Sequence, residues 1–337
     1  MKNILYIYLI IIMTSCNSSK IAVVKHNGKF GAINRKGNYI IQPVWDDILL
    51  DEPGKPILVK KDSLYGYINR KGNILIPIKF FDGDLFSEGL AKVANNQNKY
   101  GYINRNGEII IDYKYELQAW GDFSNGLADV TLNGRSGYID INGNIKIPLV
   151  FEICYPFKSD LAVVMDTTYE LRLIDKKGKL FNYNDKNIGE RNILPPKDSY
   201  PGSIQTSKGQ GRLNDKGDTI VPPIYLVTGN LFDHMYIVQD KNKKWGAFND
   251  KGELKVVPQF DGISHFSEGL ASVSINEKYG YVNKKGKIVI GLNFEFAGKF
   301  LNGLAYVEKN GKAGFINKKG KYVVPLRFEP YRHTGFD

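Results

Sequence analysis

Residues 65–77 read YGYINRKGNILIP, and this pattern recurs along most of the chain. Gly66 ends an aromatic–glycine pair, Asn69 stands three residues after it, and Gly72 stands six residues after it. Taking Gly66 as a register mark gives nine units, with marks spaced 35, 35, 36, 35, 39, 35, 34 and 34 residues apart. The marks are Gly31, Gly66, Gly101, Gly137, Arg172, Gly211, Gly246, Gly280 and Gly314. Every mark is followed by Asn or Asp at the third position and Gly at the sixth, which identifies a tandem repeat.

The Asn/Asp and Gly of each unit predict a tight turn between two strands. Asn or Asp opens a type I turn, and Gly takes the left-handed position that closes a bulged hairpin. Asn-Gly pairs between apolar runs, such as Asn310-Gly311, predict a second hairpin upstream. The fold class we predict is all-β: a tandem array of about nine three-stranded antiparallel β-meander repeats of ~35 residues. The array is expected to be open or superhelical. A closed β-propeller is the alternative, and a fourth strand in the connector would favour it.

The connector after each meander begins in seven units with an aromatic residue followed by an acid. These pairs are Trp45-Asp46, Phe81-Asp82, Tyr115-Glu116, Phe151-Glu152, Phe260-Asp261, Phe294-Glu295 and Phe328-Glu329. We interpret their carboxylates as structural groups that bond backbone amides of the next turn or pair with a lysine, because recurring features usually serve repeat stacking. A ladder of metal or ligand sites along one face is the alternative.

The N-terminus predicts export and lipid attachment. Lys2 precedes an apolar run over residues 4–13, and the small pair Thr14-Ser15 then leads to Cys16. The Met-Thr-Ser-Cys ending resembles a bacterial lipobox, which implies a diacylglyceryl group on Cys16. We therefore expect an exported lipoprotein anchored in a membrane of the bacterial cell envelope, the outer membrane. The apolar run is too short to cross a bilayer as a stable helix.

These features divide the chain into six segments. They are a signal peptide over residues 1–15, the lipidated Cys and a short tether over 16–20, repeats one to five over 21–181, an irregular insertion or break over 182–209, repeats six to nine over 210–330, and a tail over 331–337. The break is expected because the fifth unit has Arg172 at its mark and the polar stretch that follows contains Pro195-Pro196 and Pro201.

The aromatic–glycine mark, the turn Asn/Asp and the turn Gly together resemble the WG-repeat family, also called KWG repeats, over nearly all of residues 21–330. The literal Trp-Gly pair stands only at Trp245-Gly246, with Tyr, Phe or a smaller residue elsewhere. The resemblance implies a repeat architecture, and members of the family are described as repeat proteins of unsettled biochemical role.

No catalytic pattern is found, and we expect a protein that is not an enzyme and needs no cofactor. The four histidines share no repeat position and lie near no second ligand at metal spacing. Gly209-Gln210-Gly211 looks like part of a phosphate loop, but Gly211 is a repeat mark. Cys154 aligns with Ile263 and Ala297, an apolar position, so a buried inert thiol is expected.

The turn tips, meaning the two residues between the turn Asn/Asp and its Gly, carry most of the excess charge. The basic tip residues are Arg35, Lys36, Arg70, Lys71, Arg105, Lys176, Lys177, Lys216, Lys251, Lys284, Lys285, Lys318 and Lys319, against the acids Asp215 and Asp250. The formal net charge is +11. Repeats stacked in one orientation would place these tips on a ridge, and our hypothesis is that the ridge binds an anionic surface. The alternative is that the tip lysines are merely solvated.

The function predicted from the sequence is a non-catalytic, protein-binding scaffold of the cell envelope, since repeat arrays offer long binding surfaces. A module that binds glycans or anionic envelope polymers is the alternative. The expected partners are an envelope protein and, for the ridge, anionic lipid or polysaccharide. Nucleic acid is a poor candidate for an exported chain. Burial of Tyr65, Tyr100 and Tyr279 between repeats would remove the aromatic platform for a glycan.

Overall fold

The computed structural model describes residues 20–117, 121–182, 203–213 and 217–332. In these parts of the chain all regular structure is β, in nine separate antiparallel sheets. The first three sheets comprise β1 (Ile21–His26), β2 (Lys29–Asn34), β3 (Tyr39–Trp45); β4 (Asp47–Leu49), β5 (Ile57–Lys61), β6 (Leu64–Ile68), β7 (Ile74–Phe80); β8 (Asp82–Gly83), β9 (Leu90–Ala94), β10 (Tyr100–Asn104) and β11 (Ile109–Tyr115). The next three comprise β12 (Leu127–Leu132), β13 (Arg135–Asp140), β14 (Ile145–Phe151); β15 (Ile153–Cys154), β16 (Leu161–Met165), β17 (Leu171–Asp175), β18 (Leu180–Asn182); β19 (Ser203–Thr206), β20 (Gly209–Leu213) and β21 (Thr219–Tyr225). The last three comprise β22 (Val227–Phe232), β23 (Met235–Gln239), β24 (Trp245–Asn249), β25 (Leu254–Phe260); β26 (Gly262–Ile263), β27 (Leu270–Ile275), β28 (Lys278–Asn283), β29 (Ile288–Phe294); β30 (Phe296–Ala297), β31 (Leu304–Lys309), β32 (Lys312–Asn317) and β33 (Tyr322–Phe328).

Each sequence repeat forms one sheet, which confirms the predicted all-β tandem array. Three sheets have three strands, but six have four, because the connector adds a short strand at one edge. In the eighth sheet this strand is β26, where Gly262 pairs with Ser274 and Ile263 with Val273. The prediction of three strands per repeat is therefore wrong for these six sheets. Pairing of the connector was not visible in the sequence because each added strand is only two to six residues long.

The mark glycine lies where the third meander strand crosses the second at very short range. In the eighth sheet Tyr281 pairs with Ile290 but Tyr279 pairs with Phe294, so the register shifts around Gly280. A Cβ on Gly280 would lie 2.5 Å from the carbonyl oxygen of Ile290. In every sheet except the fifth the register shifts at this position. The mark is therefore glycine because the crossing strand leaves no room for a side chain.

The hydrophobic core lies between successive sheets. At one junction the Tyr281 and Phe294 side chains of the eighth sheet pack against Phe300, Val307 and Ile316 of the ninth-sheet repeat. Eight clusters of this kind join pairs of sheets. Since a fully buried large apolar side chain contributes about 1.5–3 kcal/mol, these junctions are the main source of stability.

The ninth sheet packs against the first through a junction of the same design. Ala22, Val24 and Ile33 of the first sheet occupy the positions that Ala305, Val307 and Ile316 hold at the preceding junction. The backbone N–H of Glu329 donates to the Lys25 carbonyl at 3.0 Å, as that of Glu295 donates to Glu308 at 2.8 Å. The array therefore continues from its ninth sheet into its first. This contact and the fourth strands are features that the closed alternative requires.

The middle of the sequence lacks such a junction among the described residues. β18 ends at Asn182 and β19 begins at Ser203, and residues 183–202 lie outside the description. No hydrophobic cluster of the described residues joins the fifth sheet to the sixth, since the fifth-sheet cluster of Leu161 and Leu173 stays within that sheet. The prediction of an irregular segment over 182–209 is wrong at the C-terminal end of that range, where β19 pairs with β20.

Candidate functional site

The turn tips have the predicted conformation. In the first sheet the Asn34 Oδ1 accepts hydrogen bonds from the backbone N–H groups of Lys36 at 2.9 Å and Asn38 at 3.0 Å. Gly37, which closes this turn, has a φ of 82°, in the left-handed region that glycine adopts without strain. The other eight turn glycines also have positive φ.

Most of the tips lie on one face of the array. A Cβ on Gly107 of the third sheet would lie 2.9 Å from Ile76 of the second, and one on Gly143 would lie 3.3 Å from Ile111 of the third. Gly37 of the first sheet packs in the same way on Val324 of the ninth. Seven of the nine tips, all except those of Gly178 and Gly217, thus rest on the third meander strand of the preceding sheet, so these repeats stack in one orientation. We call this surface the tip face.

The first cation of several tips points back to the preceding repeat and is paired there. Lys284 Nζ lies 2.5 Å from Asp233 Oδ1, and Lys318 Nζ lies 2.9 Å from Glu268 Oε2. Both acids lie in the turn before the second strand of the preceding sheet, and each also accepts a backbone N–H from the next sheet. Lys176 pairs with Asp160 of its own repeat at 3.7 Å. Lys284 and Lys318 thus link neighbouring repeats, a role that the predicted ridge did not include.

The second cation of each tip is exposed. The lysines at this position that the structure describes are Lys36, Lys71, Lys177, Lys251, Lys285 and Lys319. Among the described residues none of these six side chains forms a salt bridge, and Arg105 of the third sheet is also exposed. Lys216 lies outside the described residues. The surface available to an anion is therefore made mainly by the second tip position.

The positive charge of the tips is concentrated around the junction of the ninth and first sheets. The four sheets that carry two cations per tip in direct succession are the eighth, ninth, first and second. Their tips form what we call the basic patch: Lys284, Lys285, Lys318, Lys319, Arg35, Lys36, Arg70 and Lys71. Arg35 lies beside Gly303 of the ninth sheet: a Cβ added to Gly303 would lie 3.5 Å from Arg35 Nη2. The patch spans the two ends of the sequence.

The described chain begins within the basic patch. Lys20 Nζ donates a hydrogen bond to Asn302 Oδ1, next to Gly303 and thus close to Arg35. Cys16 and the predicted signal peptide lie outside the described residues. Within the described parts no helix is long and apolar enough to span a membrane.

Exposed apolar side chains stand beside the tips. In the second sheet Ile74 is 59% exposed and Leu75 is 47% exposed, two and three residues after the tip glycine Gly72. The equivalent exposed residues in other sheets are Ile109, Ile110, Ile145, Leu180, Leu254, Ile288, Val289, Tyr322 and Val323. The basic tip and an apolar edge therefore alternate around the tip face.

The aromatic–acid pairs have the structural role that we predicted. Glu295 accepts the backbone N–H groups of Asn310 at 3.0 Å and Gly311 at 3.1 Å, which lowers the pKa of its carboxyl. Glu116 binds the next Asn-Gly turn in the same way, and Glu329 accepts from Gly28 of the first sheet. In the second repeat the buried aromatic residue is Phe80, whereas Phe81 is 51% exposed.

Other sequence predictions concern single side chains. Cys154 is fully buried among apolar residues, which confirms its predicted burial, and burial raises the pKa of its thiol. Tyr100 is buried and donates to Asp82 at 2.9 Å, while Tyr65 and Tyr279 are half-buried. The aromatic platform expected for a glycan is thus lost at Tyr100 and only partly accessible at the other two. No cluster of three or more potential metal ligands occurs among the described residues.

Seven segments of the chain match the WG-containing repeat family: residues 30–64, 65–99, 100–135, 137–166, 245–279, 279–312 and 314–329. They cover more than half of the sequence and omit residues 167–244, which include the fifth mark, Arg172. Among curated proteins none matches the sequence.

Similar solved structures share little sequence with this chain. AztD from Citrobacter koseri has 12% identity and a TM-score of 0.38, over 93% of this chain and 96% of its own. BamB from Moraxella catarrhalis has 10% identity and a TM-score of 0.30, over 82% and 86% respectively. Hsv2p from Kluyveromyces lactis has 9% identity and a TM-score of 0.31, over 84% and 97%. It is the repeat matches that assign the family: the chain belongs to the WG-containing repeat proteins.

Proposed function

We propose that this chain is a non-catalytic binding protein of the bacterial cell envelope whose basic patch docks on the anionic phospholipid surface of the membrane that anchors it. The observation that carries the proposal is the position of Lys20, which contacts the ninth sheet between the tips of the basic patch. The predicted lipid attachment at Cys16 is only four residues earlier in the sequence. A chain of four residues spans at most about 14 Å, so a lipidated Cys16 would hold the tip face close to the bilayer.

Charge and surface chemistry support the same orientation. Lys36, Lys71, Lys285 and Lys319 are exposed and come from four successive sheets. Basic groups near an anionic leaflet contribute about 1 kcal/mol each. The exposed Ile74, Leu75, Tyr322 and Val323 lie beside these tips and would enter the boundary between headgroups and acyl chains. Such a contact would add to the anchor that the predicted diacylglyceryl group supplies and would fix the orientation of the tip face.

The test is co-sedimentation with lipid vesicles. The protein used begins at position 16 and carries Cys16→Ser, so that it has no acyl chains. Vesicles that contain phosphatidylglycerol should bind the protein at low ionic strength, and added salt should release it. Changing Lys36, Lys71, Lys285 and Lys319 together to Gln should weaken binding by well over tenfold, since each lysine contributes about 1 kcal/mol.

A matched control removes the same charge from the opposite face. Lys61, Lys241, Lys278 and Lys312 are exposed and lie at or beside the turns between the other strands. Their combined change to Gln should leave most of the binding intact. Absence of binding at low salt, or an equal loss in both quadruple variants, would contradict the proposal.

The protein-binding scaffold predicted from the sequence is supported by a different observation. The exposed apolar residues continue away from the basic patch, at Ile109, Ile110, Ile145 and Leu180 of the third to fifth sheets. Recurrent exposed apolar side chains commonly mark protein interaction surfaces. Crosslinking of the anchored protein in envelope preparations, from a photoreactive residue at Ile109, would identify such a partner, and a Lys61 photoreactive variant would be the control.

A further inference from the structure

A cleft of about 660 Å³ lies between the seventh, eighth and ninth sheets. Its walls include Ser272 and Ser274 of β27, Tyr279 of β28, Phe296 of β30 and Phe232 of β22. This volume is within the range of about 300–1,000 Å³ that is typical of small-molecule sites. The cleft does not involve the exposed tip lysines, so it is a site separate from the basic patch.

Two serine residues place their hydroxyl groups in the wall of this cleft. Ser272 is 6% exposed and Ser274 is 7% exposed. Among the described residues neither hydroxyl forms a hydrogen bond, although the backbone N–H of Ser272 donates to Ser264 Oγ at 2.9 Å. Each hydroxyl can therefore both donate a hydrogen bond to a ligand in the cleft and accept one from it.

In the ninth and third sheets the equivalent positions are filled by larger side chains that pair within the fold. In the ninth sheet Tyr306 replaces Ser272 and donates to Glu308, which replaces Ser274, at 2.9 Å. Arg332 then pairs with Glu308 at 3.1 Å. In the third sheet Lys92 replaces Ser272 and pairs with Asp84 at 3.0 Å. The eighth sheet thus differs from these two by small hydroxyl residues that open the space.

A neighbouring glycine keeps the Ser274 hydroxyl accessible. Gly262 pairs with Ser274, and a Cβ on this glycine would lie 2.8 Å from Ser274 Oγ. The residue at the same position of the ninth sheet is Phe296. The combination of Gly262, Ser272 and Ser274 therefore forms the polar wall of the cleft.

Aromatic side chains and the cation Lys299 complete the lining among the described residues. The rings of Tyr279 and Phe296 lie 5.7 Å apart, and those of Phe232 and His265 lie 4.1 Å apart. Burial and the charge of Lys299 lower the pKa of His265, so its ring is neutral at pH 7. No carboxylate occurs among the described residues that line the cleft.

We propose that this cleft binds a neutral saccharide. The sugar's apolar ring face would lie against Tyr279 or Phe296, and its hydroxyl groups would exchange hydrogen bonds with Ser272 and Ser274. Aromatic side chains offer a large apolar surface of fixed shape, and hydroxyl groups both donate and accept. The ligand class is thus inferred from two hydroxyl groups and aromatic side chains in a lining that contains no carboxylate among the described residues.

The test uses the acyl-free protein, starting at the Cys16→Ser residue, with glucose, galactose, mannose and N-acetylglucosamine as probes. Saturation-transfer NMR and calorimetry should show millimolar or tighter binding of at least one of them. Ser272→Ala combined with Ser274→Ala should weaken that binding about tenfold, from two lost hydrogen bonds. The melting temperature should not fall, because the hydroxyls have no partner within the fold.

Two further variants keep the test decisive. Gly262→Phe copies the ninth sheet, fills the cleft and should abolish binding with an unchanged circular dichroism spectrum. Ser207→Ala, in an exposed turn, should change nothing. The proposal is overturned if no probe binds the wild-type protein, if the double alanine variant binds as well as wild type, or if it loses stability and affinity alike.

Discussion

Asp129 shows how strongly this fold can alter a single side chain. Its surface is 1% exposed, and burial raises the pKa of its carboxyl to about 7, although backbone N–H groups and the charge of Lys92 oppose the shift. Asp129 stands between Ala128 and Val130, a pattern that normally places an acid toward solvent. The sequence could not predict its burial, because neighbouring sheets cover both faces of β12.

The raised pKa makes Asp129 destabilising toward neutral pH. In the unfolded chain an aspartate ionises near a pH of about 3.9, whereas the folded carboxyl holds its proton up to about 7. The free energy of unfolding should therefore fall as pH rises through this window. Asp129→Asn should raise the melting temperature near neutral pH and change it little near a pH of about 4.

Thermal melts across this pH range measure the effect. Asp112 is exposed, and Asp112→Asn should keep the wild-type pH dependence. A constant difference between Asp129→Asn and wild type at all pH values would show that the shift in pKa is not the cause.

At the scale of elements, the sequence predicted both the position and the role of the two turn residues of each repeat. For the mark glycine it gave the position but not the structural role. Asn or Asp and Gly have a local turn chemistry, which the structure confirms at Asn34 and Gly37. The reason for the mark glycine is a contact with a strand that lies ten or more residues later. The fifth sheet shows this by exception: Arg172 occupies the mark, and its pairing with Asn182 continues in regular register through Leu173 and Ile174.

Gly280→Ala tests this explanation. Its Cβ would lie 2.5 Å from the Ile290 carbonyl and 2.7 Å from backbone atoms of Gly291. We expect the free energy of unfolding to fall by about 1–3 kcal/mol, as for other overpacked positions. Denaturant titration of the variant and the wild type gives this difference.

Gly291→Ala is the matched control within the same sheet. Gly291 is exposed, and the nearest atom to its added Cβ would be 3.9 Å away. Removing a flexible glycine there should leave stability unchanged or slightly higher. Equal losses in both variants would indicate a general intolerance of the strands rather than a close crossing.

At the scale of the whole molecule, the ends of the sequence form an ordinary repeat junction. Glu329 bonds the backbone N–H of Gly28, as Glu295 bonds that of Gly311, and Arg327 donates to the Gly37 carbonyl. The junction absent among the described residues is instead the one between the fifth and sixth sheets. The order of sheets in space therefore continues through the termini.

Two isoleucines at equivalent positions measure the strength of this closing junction. Ile33 and Ile316 are both fully buried, one between the ninth and first sheets and the other between the eighth and ninth. Changing either to Ala should lower the free energy of unfolding by about 2–5 kcal/mol. A large loss for Ile316→Ala with almost none for Ile33→Ala would mean that the ends do not pack together in solution.

The sequence by itself determined the repeat, its register, the turn at each tip and the buried apolar positions, because these depend on neighbours a few residues away. It also located the carboxylates that bind the next hairpin, since an aromatic–acid pair recurs in seven of the nine repeats. Only the tertiary structure decided that the ninth sheet meets the first, that Lys284 and Lys318 are paired while the second tip cations are exposed, and that small residues open a cleft in the eighth sheet. These features depend on contacts between residues that are tens to hundreds of positions apart, and no local pattern encodes which sheets will become neighbours.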